Sequence, residues 1–499
     1  MIAVFTYVLD STIASVALPY MAGSFSVTRD ESMWILTSYM IACGIMVPMV
    51  DWFCKLCGRK AFFIISVLIF TTASMLCGMS HNIEMMIFAR ILQGAGGGGI
   101  LPIVQAIMME TFEGKERPKA MAVFGLGVIL APVIGPTLGG WITDNWAWPW
   151  IFYINVPLGC IAAILSKKLI FDPPYAKKQK DLKVDVRGFL YLTVWLVTLQ
   201  VVLDKGNNAD WFNADWICWT TLVSVIAAAL FFRSQIKYKD TLVDLSVFKD
   251  KNFSTGTFIQ VVVQGVLYSS LVLLPQFLQG MMGYNASLSG LAIMPRGIGS
   301  LISMSICGVI ASKLDGRWLT AAGLAMVGAA SLIFGSLNLQ IASINIVIPN
   351  FIMGFGLGLA MIPLISITVQ TLKNEQMTNA SGLNNLLKTI GGAIGTSLVA
   401  TMLTRFAQIH QYMMVKHLSE LNPEFVRNVQ AMTAVFSRIA HPSDANYMAN
   451  SLIYKQLLQQ ATLWAFMDAF RLIGIVCFLV IPLVFLLKPS DNSAQSSAH

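Results

Sequence analysis

Residues 93–102 read QGAGGGGILP and lie inside a predominantly apolar segment, 84–109. A second glycine-rich stretch, MGFGLGLAMIP at 353–363, repeats the G-x-G-x-G pattern that begins at Gly94, now from Gly354. Glycines remove side chains and let a neighbouring helix or a ligand approach closely. The first stretch follows no strand pattern, which argues against a dinucleotide-binding loop. The pair of stretches predicts two related membrane-helix units in one chain.

The composition predicts that a lipid bilayer surrounds most of this chain. Of its 499 residues, 56% are hydrophobic and 12% are charged, about half the charged fraction of an ordinary soluble protein. Apolar runs long enough to cross a membrane recur throughout, and without alternation they predict helices. We expect an all-α polytopic membrane protein with fourteen spans, near 1–22, 32–50, 61–79, 84–109, 120–142, 149–168, 186–204, 214–233, 253–279, 287–311, 318–337, 344–371, 383–404 and 467–487.

A second repeated sequence indicates how these spans are organised. KLCGRK at 55–60 follows span 2, and KLDGRW at 313–318 follows span 10. We therefore predict an N-terminal six-helix bundle (1–168), two inserted helices with basic linkers (169–252), and a C-terminal six-helix bundle (253–499) around a central cavity. The alternative is that any glycine-rich membrane helices would match as well.

Basic residues predict the orientation. They cluster after the even-numbered spans, in 55–60, 115–119, 167–187, 233–251 and 313–317, whereas the short odd-numbered loops hold only Arg29 and Lys205. The even loops and both termini are therefore expected in the cytoplasm. The formal net charge of +8 then reflects topology, and we expect no nucleic-acid partner.

Two charged residues lie deep in apolar spans. Asp10 falls within VLDSTIASVALP (8–19) and Arg90 within FARILQGAGGGG (88–99). A buried charge costs about 2.5–3.5 kcal/mol on membrane insertion, so Arg90 needs an acceptor or a wet cavity. The alternatives are an arginine that extends to the membrane surface and an aspartate with a static structural role.

Span 5 is rich in proline and glycine. It reads GLGVILAPVIGPTLGGW (125–141). Prolines remove backbone donors and glycines permit close packing, so we expect a kinked, tightly packed helix. Physical reasoning alone does not distinguish this from a generic kinked helix.

Several motifs together resemble those of the major facilitator superfamily. They are VLDSTIASVALP, GRK (58–60), RILQGAGGG (90–98) and APVIGPTLGG (131–140), the last resembling the motif of its drug:proton antiporters. FYINVPLG (152–159), LDKGNNADWF (203–212) and LLPQFLQGMMGY (273–284) resemble the fourteen-span EmrB/QacA type. The resemblance covers essentially the entire chain and is strongest to EmrB-like members.

This resemblance implies roles for particular residues. It assigns proton coupling to Asp10 and Arg90, and it places Arg296 opposite the motif of span 5. Asp51 and Cys54 depart from the usual loop motif, in which a glycine and an acidic residue or alanine stand at these positions. The remaining implied residues are the antiporter motif Pro132, Gly135, Pro136, Gly139 and Gly140, the gating loop Asp51, Gly58, Arg59 and Lys60, and the cavity or interface residues Tyr39, Gln93 and Arg296.

The expected function is proton-driven export of amphipathic, hydrophobic or cationic toxic compounds across the inner membrane. The alternatives are an exporter of a specific metabolite or lipid without proton coupling, and a membrane sensor or enzyme. No G-x-x-x-x-G-K-[ST] sequence occurs, so ATP hydrolysis is not indicated, and we expect neither enzymatic activity nor a cofactor.

Residues 406–465 form the only long segment predicted outside the membrane. Loops beyond about 12–15 residues are usually functional or disordered. Helical spacing in 451–463 predicts that this one is partly helical. By resemblance it docks a periplasmic EmrA-like adaptor that leads to an outer-membrane channel; a plain cap is the alternative.

Smaller features have simpler interpretations. We expect His410 and His417 to be surface residues, and Asp468 and Arg471, three apart, to pair on one helical face. The spacing of Cys54 and Cys57 resembles a zinc half-site without a second pair, which favours free thiols.

Overall fold

The structure is a computed structural model that describes residues 1–112, 116–171, 185–237, 243–284, 286–310, 314–419, 421–438 and 441–489. Within these ranges the regular structure is helical, without strands. Most of the basic loop after span 6, and Lys313 of the second KLxGR sequence, lie outside the described residues.

Eighteen α-helices are formed by the described residues. They are α1 (Ile2–Phe25), α2 (Arg29–Ser32), α3 (Trp34–Cys57), α4 (Arg59–Gly78), α5 (Ile83–Gly97), α6 (Ile100–Thr111), α7 (Arg117–Asn145), α8 (Trp150–Tyr153), α9 (Asn155–Leu169), α10 (Val186–Lys205), α11 (Asp215–Lys237), α12 (Lys251–Gly280), α13 (Ala286–Ile310), α14 (Gly316–Phe334), α15 (Ile344–Val369), α16 (Met377–Val415), α17 (Pro423–Phe436) and α18 (Pro442–Val484).

The predicted spans correspond to these helices. Thirteen helical segments of the described chain are long and apolar enough to cross a membrane. Span 4 is α5 followed by α6, which meet at Gly98 and Gly99, and span 6 is α8 followed by α9. Span 5 is α7, whose apolar stretch Val123–Pro132 is shorter. The fourteen-span all-α fold is therefore confirmed.

The segment 406–465 is helical to a larger extent than its sequence predicts. Helix α16 has 39 residues and continues to Val415, and α18 has 43 residues and begins at Pro442. At 1.5 Å per residue these helices are about 58 and 64 Å long, roughly twice the hydrocarbon thickness of a bilayer. We call the parts of α16, α17 and α18 that lie within 406–465 the helical projection. The helices therefore extend beyond the predicted span boundaries at 404 and 467, because hydropathy reports only the part of a helix that crosses the membrane.

The glycine repeat is visible in the packing. In both halves, alternate glycines of one helix face backbone carbonyls of the adjacent helix, so that an added Cβ would collide with them. Gly94 and Gly98 face Tyr39 and Cys43 of α3, and Gly354 and Gly358 face Arg296 and Ser300 of α13. The glycines lie 260 residues apart and their partners 257 residues apart. Such a constant offset supports an internal repeat over a chance match of glycine-rich helices.

The two ends of the helix bundle differ in how the halves meet. We call the end that holds Arg59 and Glu110 the basic end. There, one hydrophobic cluster includes residues from both halves, such as Phe124 and Met304. The other two clusters do not join the halves, since one lies within 13–152 and the other within 259–487. The structure is therefore closed at the basic end.

Candidate functional site

Asp10 and Arg90 form an ion pair in the interior of the first six spans. Arg90 Nη1 lies 2.6 Å from Asp10 Oδ2, and both side chains are fully buried. Arg90 Nε also donates to the carbonyl of Ile35, at 3.1 Å. The arginine is thus anchored between α1, α3 and α5, so the interpretation that it extends to the membrane surface is wrong.

Three further polar side chains complete this network. Gln93 accepts from Arg90 Nη1 at 2.6 Å and donates to Asp10 Oδ1 at 2.8 Å. Asn155 donates to the same Asp10 oxygen at 2.7 Å. Ser74 Oγ lies 2.9 Å from both amide nitrogens. The carboxylate therefore accepts hydrogen bonds from three side chains, which satisfy both of its oxygens.

Aromatic rings cover the guanidinium. Arg90 Cζ lies 4.1 Å from the ring centroid of Tyr39 and 5.7 Å from that of Phe152. Among the described residues, Arg90 Nη2 and Asn155 Oδ1 have no hydrogen-bond partner. The network therefore leaves one buried donor and one buried acceptor available for a further hydrogen bond.

The sequence identified part of this site. Asp10, Arg90, Gln93 and Tyr39 were predicted and are brought together, whereas Ser74 and Asn155 were not. Asn155 had a signal, because it lies in FYINVPLG. Ser74 had none, because serine in a membrane helix commonly bonds to its own backbone.

The span 5 motif packs against the helix that carries Asp10. A Cβ on Gly135 would collide with Thr12, and one on Gly139 would lie 2.7 Å from Ile13 Cγ1. A Cβ on Gly140 would make only an ordinary contact with Val16, at 4.0 Å. Pro132 lies within α7, as does Pro136, whose side chain is outside the described residues. The motif therefore sets the distance between α7 and α1.

The gating loop pairs its charges inside the first half. Arg59 Nη1 lies 2.6 Å from Glu110 of α6, with both side chains nearly buried. Asp51 pairs with Lys55 at 2.6 Å, and Lys60 lies over the Phe171 ring at 5.4 Å. Gly58 has φ +87°, a conformation that favours glycine.

Polar contacts join the halves at the basic end. Ser381 of α16 donates to Gln105 of α6 at 3.1 Å, and Asn385 donates to the same oxygen at 2.8 Å. These three side chains are buried. Together with the shared hydrophobic cluster they close this end.

Arg296 makes its described contacts within the second half. Its Nη2 donates to Ser270 of α12, and its backbone faces Gly354 of α15. Its helix α13 also packs against α7, where a Cβ on Gly125 would meet Met304. The position of Arg296 opposite the span 5 motif stays a prediction.

The last span carries a second polar cluster. Arg471 pairs with Asp468 at 3.0 Å, which confirms the predicted pair. His410 of α16 lies 2.8 Å from the other oxygen of Asp468. The expectation that His410 is a simple surface residue is wrong, because α16 continues past the predicted membrane boundary and packs against α18.

Comparison with known proteins agrees with this architecture. The family model described as Major Facilitator Superfamily matches residues 1–396. The chain belongs to the major facilitator superfamily. It is a multi-pass membrane protein of a transporter family.

Individual relatives cover almost its whole length. It is 32% identical to "Multidrug export protein EmrB" of Escherichia coli K12, over 98% of this chain and 94% of the relative. It is 30% identical to "Fatty acid resistance protein FarB" of Neisseria gonorrhoeae, over 99% and 95%. The predicted resemblance to EmrB-type proteins is confirmed.

A solved structure shares the fold. The human organic anion transporter MFSD10 matches with a TM-score of 0.61 over 97% of this chain and 98% of that chain, at 11% identity. At that identity the match supports the fold alone.

Proposed function

We propose that the protein is a proton-driven multidrug efflux transporter of the inner membrane. It exports amphipathic and hydrophobic toxic compounds by alternating access, with the basic end and both termini in the cytoplasm. The relatives named for multidrug export support the efflux function. The observation that carries proton coupling is the sealed ion pair of Asp10 and Arg90.

The pair supplies a physical route to coupling. Asp10 lies in α1 and Arg90 in α5, so a relative movement of these helices separates the charges. A carboxylate left without its cation in a low-dielectric interior is costly, and uptake of a proton removes that cost. Return of the arginine favours the ionised carboxylate and releases the proton.

The closed basic end defines one state of the cycle. We assign this structure to the state that faces away from the cytoplasm, with Asp10 paired to Arg90. Opening of the basic end requires Gln105 to separate from Ser381 and Asn385. Helix α7 contacts both α1 and α13, so its movement transmits that opening to the ion pair.

Asp10→Asn tests the coupling. The amide is nearly isosteric and cannot titrate, so substrate binding should persist while drug-dependent proton release from everted vesicles is lost. Persistence of proton release in this variant would assign coupling to another group.

The competing candidate is a lipid or metabolite exporter without proton coupling. The relative named for fatty acid resistance favours it. Substrate export from wild-type vesicles with no change of internal pH would support this candidate and exclude the antiporter.

We also propose that the helical projection docks an EmrA-like periplasmic adaptor, which passes substrate to an outer-membrane channel. The projection exposes large side chains, including Tyr412, Leu421 and Tyr447, of which Leu421 is 93% exposed. A groove of about 330 Å³ lies between α17 and its neighbours and is lined by residues such as Phe425, Met432 and Ile453. We further propose that the chain consists of an N-terminal six-helix bundle (1–168), two inserted helices (169–252) and a C-terminal six-helix bundle (253–499).

A further inference from the structure

Three stretches of the second half contain basic residues but no acidic ones. Across 253–310, 318–369 and 383–404 there is no aspartate or glutamate, whereas Arg296 and Lys388 are present. The last span differs, because its Asp468 pairs with Arg471. The electrostatics of these three stretches are therefore positive.

Lys388 lies inside a membrane-crossing part of α16. It is five residues past the start of the predicted span 383–404, about 8 Å along the helix and so inside a hydrocarbon layer about 30 Å thick. Its side chain is half-buried. Among the described residues it has no hydrogen bond or ion pair, although a charge at this depth needs a partner.

Neighbouring contacts on α16 define the direction of Lys388. One turn before it, Asn384 donates to Gln260 of α12 at 3.0 Å and Asn385 contacts Gln105 of the first half. One turn after it, Gly392 lies against the ring of Tyr268. At 100° per residue, Lys388 lies on the helix face between these positions. That face is directed between α12 and the first half.

The groups around this face suit an anion. Gln105 Nε2 is a buried donor without a partner among the described residues, and it belongs to the side chain that Asn385 contacts. The Tyr268 ring lies against Gly392, one helical turn beyond the lysine. A primary ammonium with a nearby free amide donor matches a carboxylate or sulfonate group, whereas a cationic substrate would meet an uncompensated like charge.

We propose that Lys388 binds the acidic group of the transported compounds, so that the protein prefers amphipathic organic anions over cations of the same hydrophobicity. This inference rests on the export function proposed above. It narrows the expected substrates, which included cationic compounds, to a chemical class. Lys388 then finds its missing counter-charge in the substrate.

Two probes with the same alkyl chain and opposite head groups test this proposal. Dodecanoate and dodecyltrimethylammonium are compared by equilibrium binding to the full-length protein in nanodiscs of neutral lipid. Wild type should bind dodecanoate at least tenfold more tightly. Lys388→Met should reverse or abolish this preference, and Lys388→Arg, which retains the charge, should keep it.

A matched control removes a lysine outside the membrane. Lys373→Met alters an exposed cation just before the same helix and should leave the preference unchanged. Thermal unfolding of each variant identifies loss of folding, and Lys388→Arg decides the outcome if Lys388→Met does not fold. Equal affinity for the two probes in wild type, or an unchanged preference in folded Lys388→Met, would overturn the proposal.

Export of an uncharged substrate separates this inference from the function on which it rests. Proton-coupled export of the uncharged probe dodecanol is measured in wild-type and Lys373→Met vesicles, and both should retain it. If wild-type vesicles couple neutral export to protons but show no anion preference, the assignment of Lys388 fails while the antiporter function stands. If no probe is exported, the export function itself fails.

Discussion

Arg90 is held by a geometry that another cation cannot reproduce. Its guanidinium binds Asp10 and Gln93 through Nη1 and the carbonyl of Ile35 through Nε. Lysine is a point charge without this planar arrangement. We predict that Arg90→Lys lowers export at least tenfold, and that Arg90→Ala destabilises the protein by about 3–5 kcal/mol because it leaves a buried charge unpaired. Vesicle export and thermal unfolding measure the two effects.

Arg471 provides the matched control for Arg90. It also pairs with an aspartate, but its side chain is 40% exposed, and exposed pairs contribute little. Arg471→Lys should change export less than twofold. Equal losses in the two lysine variants would mean that any arginine in a span is sensitive, whatever its partners.

The polar network also shows how far residue type alone can predict a site. Charged residues in apolar spans are rare and costly, so Asp10 and Arg90 were evident. Ser74 was not evident, because a hydroxyl in a membrane helix often bonds only to its own backbone. Thr71, in the same helix, does so with the carbonyl of Val67, whereas Ser74 contacts side chains of other helices. The sequence around the two residues does not specify which helix each side chain faces.

Two neighbouring glycines of the span 5 motif, Gly139 and Gly140, differ in how closely α7 packs around them. A Cβ on Gly139 would lie 2.7 Å from Ile13 Cγ1 and 3.2 Å from its carbonyl oxygen, whereas one on Gly140 would lie 4.0 Å from Val16. We predict that Gly139→Ala forces α7 away from α1 and lowers export several-fold, while Gly140→Ala stays near wild type. Comparison of the two variants in the same vesicle assay checks this prediction. Loss of export in Gly140→Ala alone would contradict it.

The extended helices α16 and α18 explain a limit of sequence-based prediction at this level. Their membrane-crossing parts are apolar and were found, but their continuations are polar and resemble a loop in hydropathy. The connection between α10 and α11 contacts α16 near the end of its predicted span, where Trp211 donates to Thr401 and Asn207 donates to Thr404.

The same connection carries a charged contact with α16. Hydrogen bonding by Asn213 and pairing with Arg405 lower the pKa of Asp210. The ion pair of Asp210 and Arg405 is therefore expected to persist above the ordinary aspartate pKa and to weaken only as the pH falls below about 4.

In the proposed transport cycle, the two halves separate at the basic end. Ser381 Oγ lies 3.1 Å from Gln105 Oε1 across this interface. We predict that a short bifunctional methanethiosulfonate reagent cross-links the double variant Gln105→Cys, Ser381→Cys and abolishes export, and that a reductant, which cleaves the cross-link, restores export. Each single variant serves as a control, because the chain has exposed native cysteines such as Cys57. Normal export by the fully cross-linked protein would contradict the assignment of this interface as a gate.

The helical projection is predicted to be needed for docking and not for the pump itself. Its base is held by contacts between α16 and α18, Gln411 to Tyr454 at 2.9 Å and His410 to Asp468 at 2.8 Å. Replacement of 416–447 by a short Gly/Ser linker removes α17 and the exposed Leu421 and Tyr447 but leaves those contacts in place. Everted vesicles should then export normally, since they require no adaptor.

Intact cells should behave differently from vesicles, with loss of both resistance and co-purification of an EmrA-like adaptor. Leu421→Asp, a single change at a side chain that is 93% exposed, should weaken co-purification without altering the fold. Arg427→Gln in α17 serves as a surface control of similar position. If the linker variant keeps both resistance and the adaptor, the projection is only a cap. Loss of export in vesicles as well would instead place part of the transport pathway within α17, because vesicles need no adaptor and the loss would then come from the pump itself.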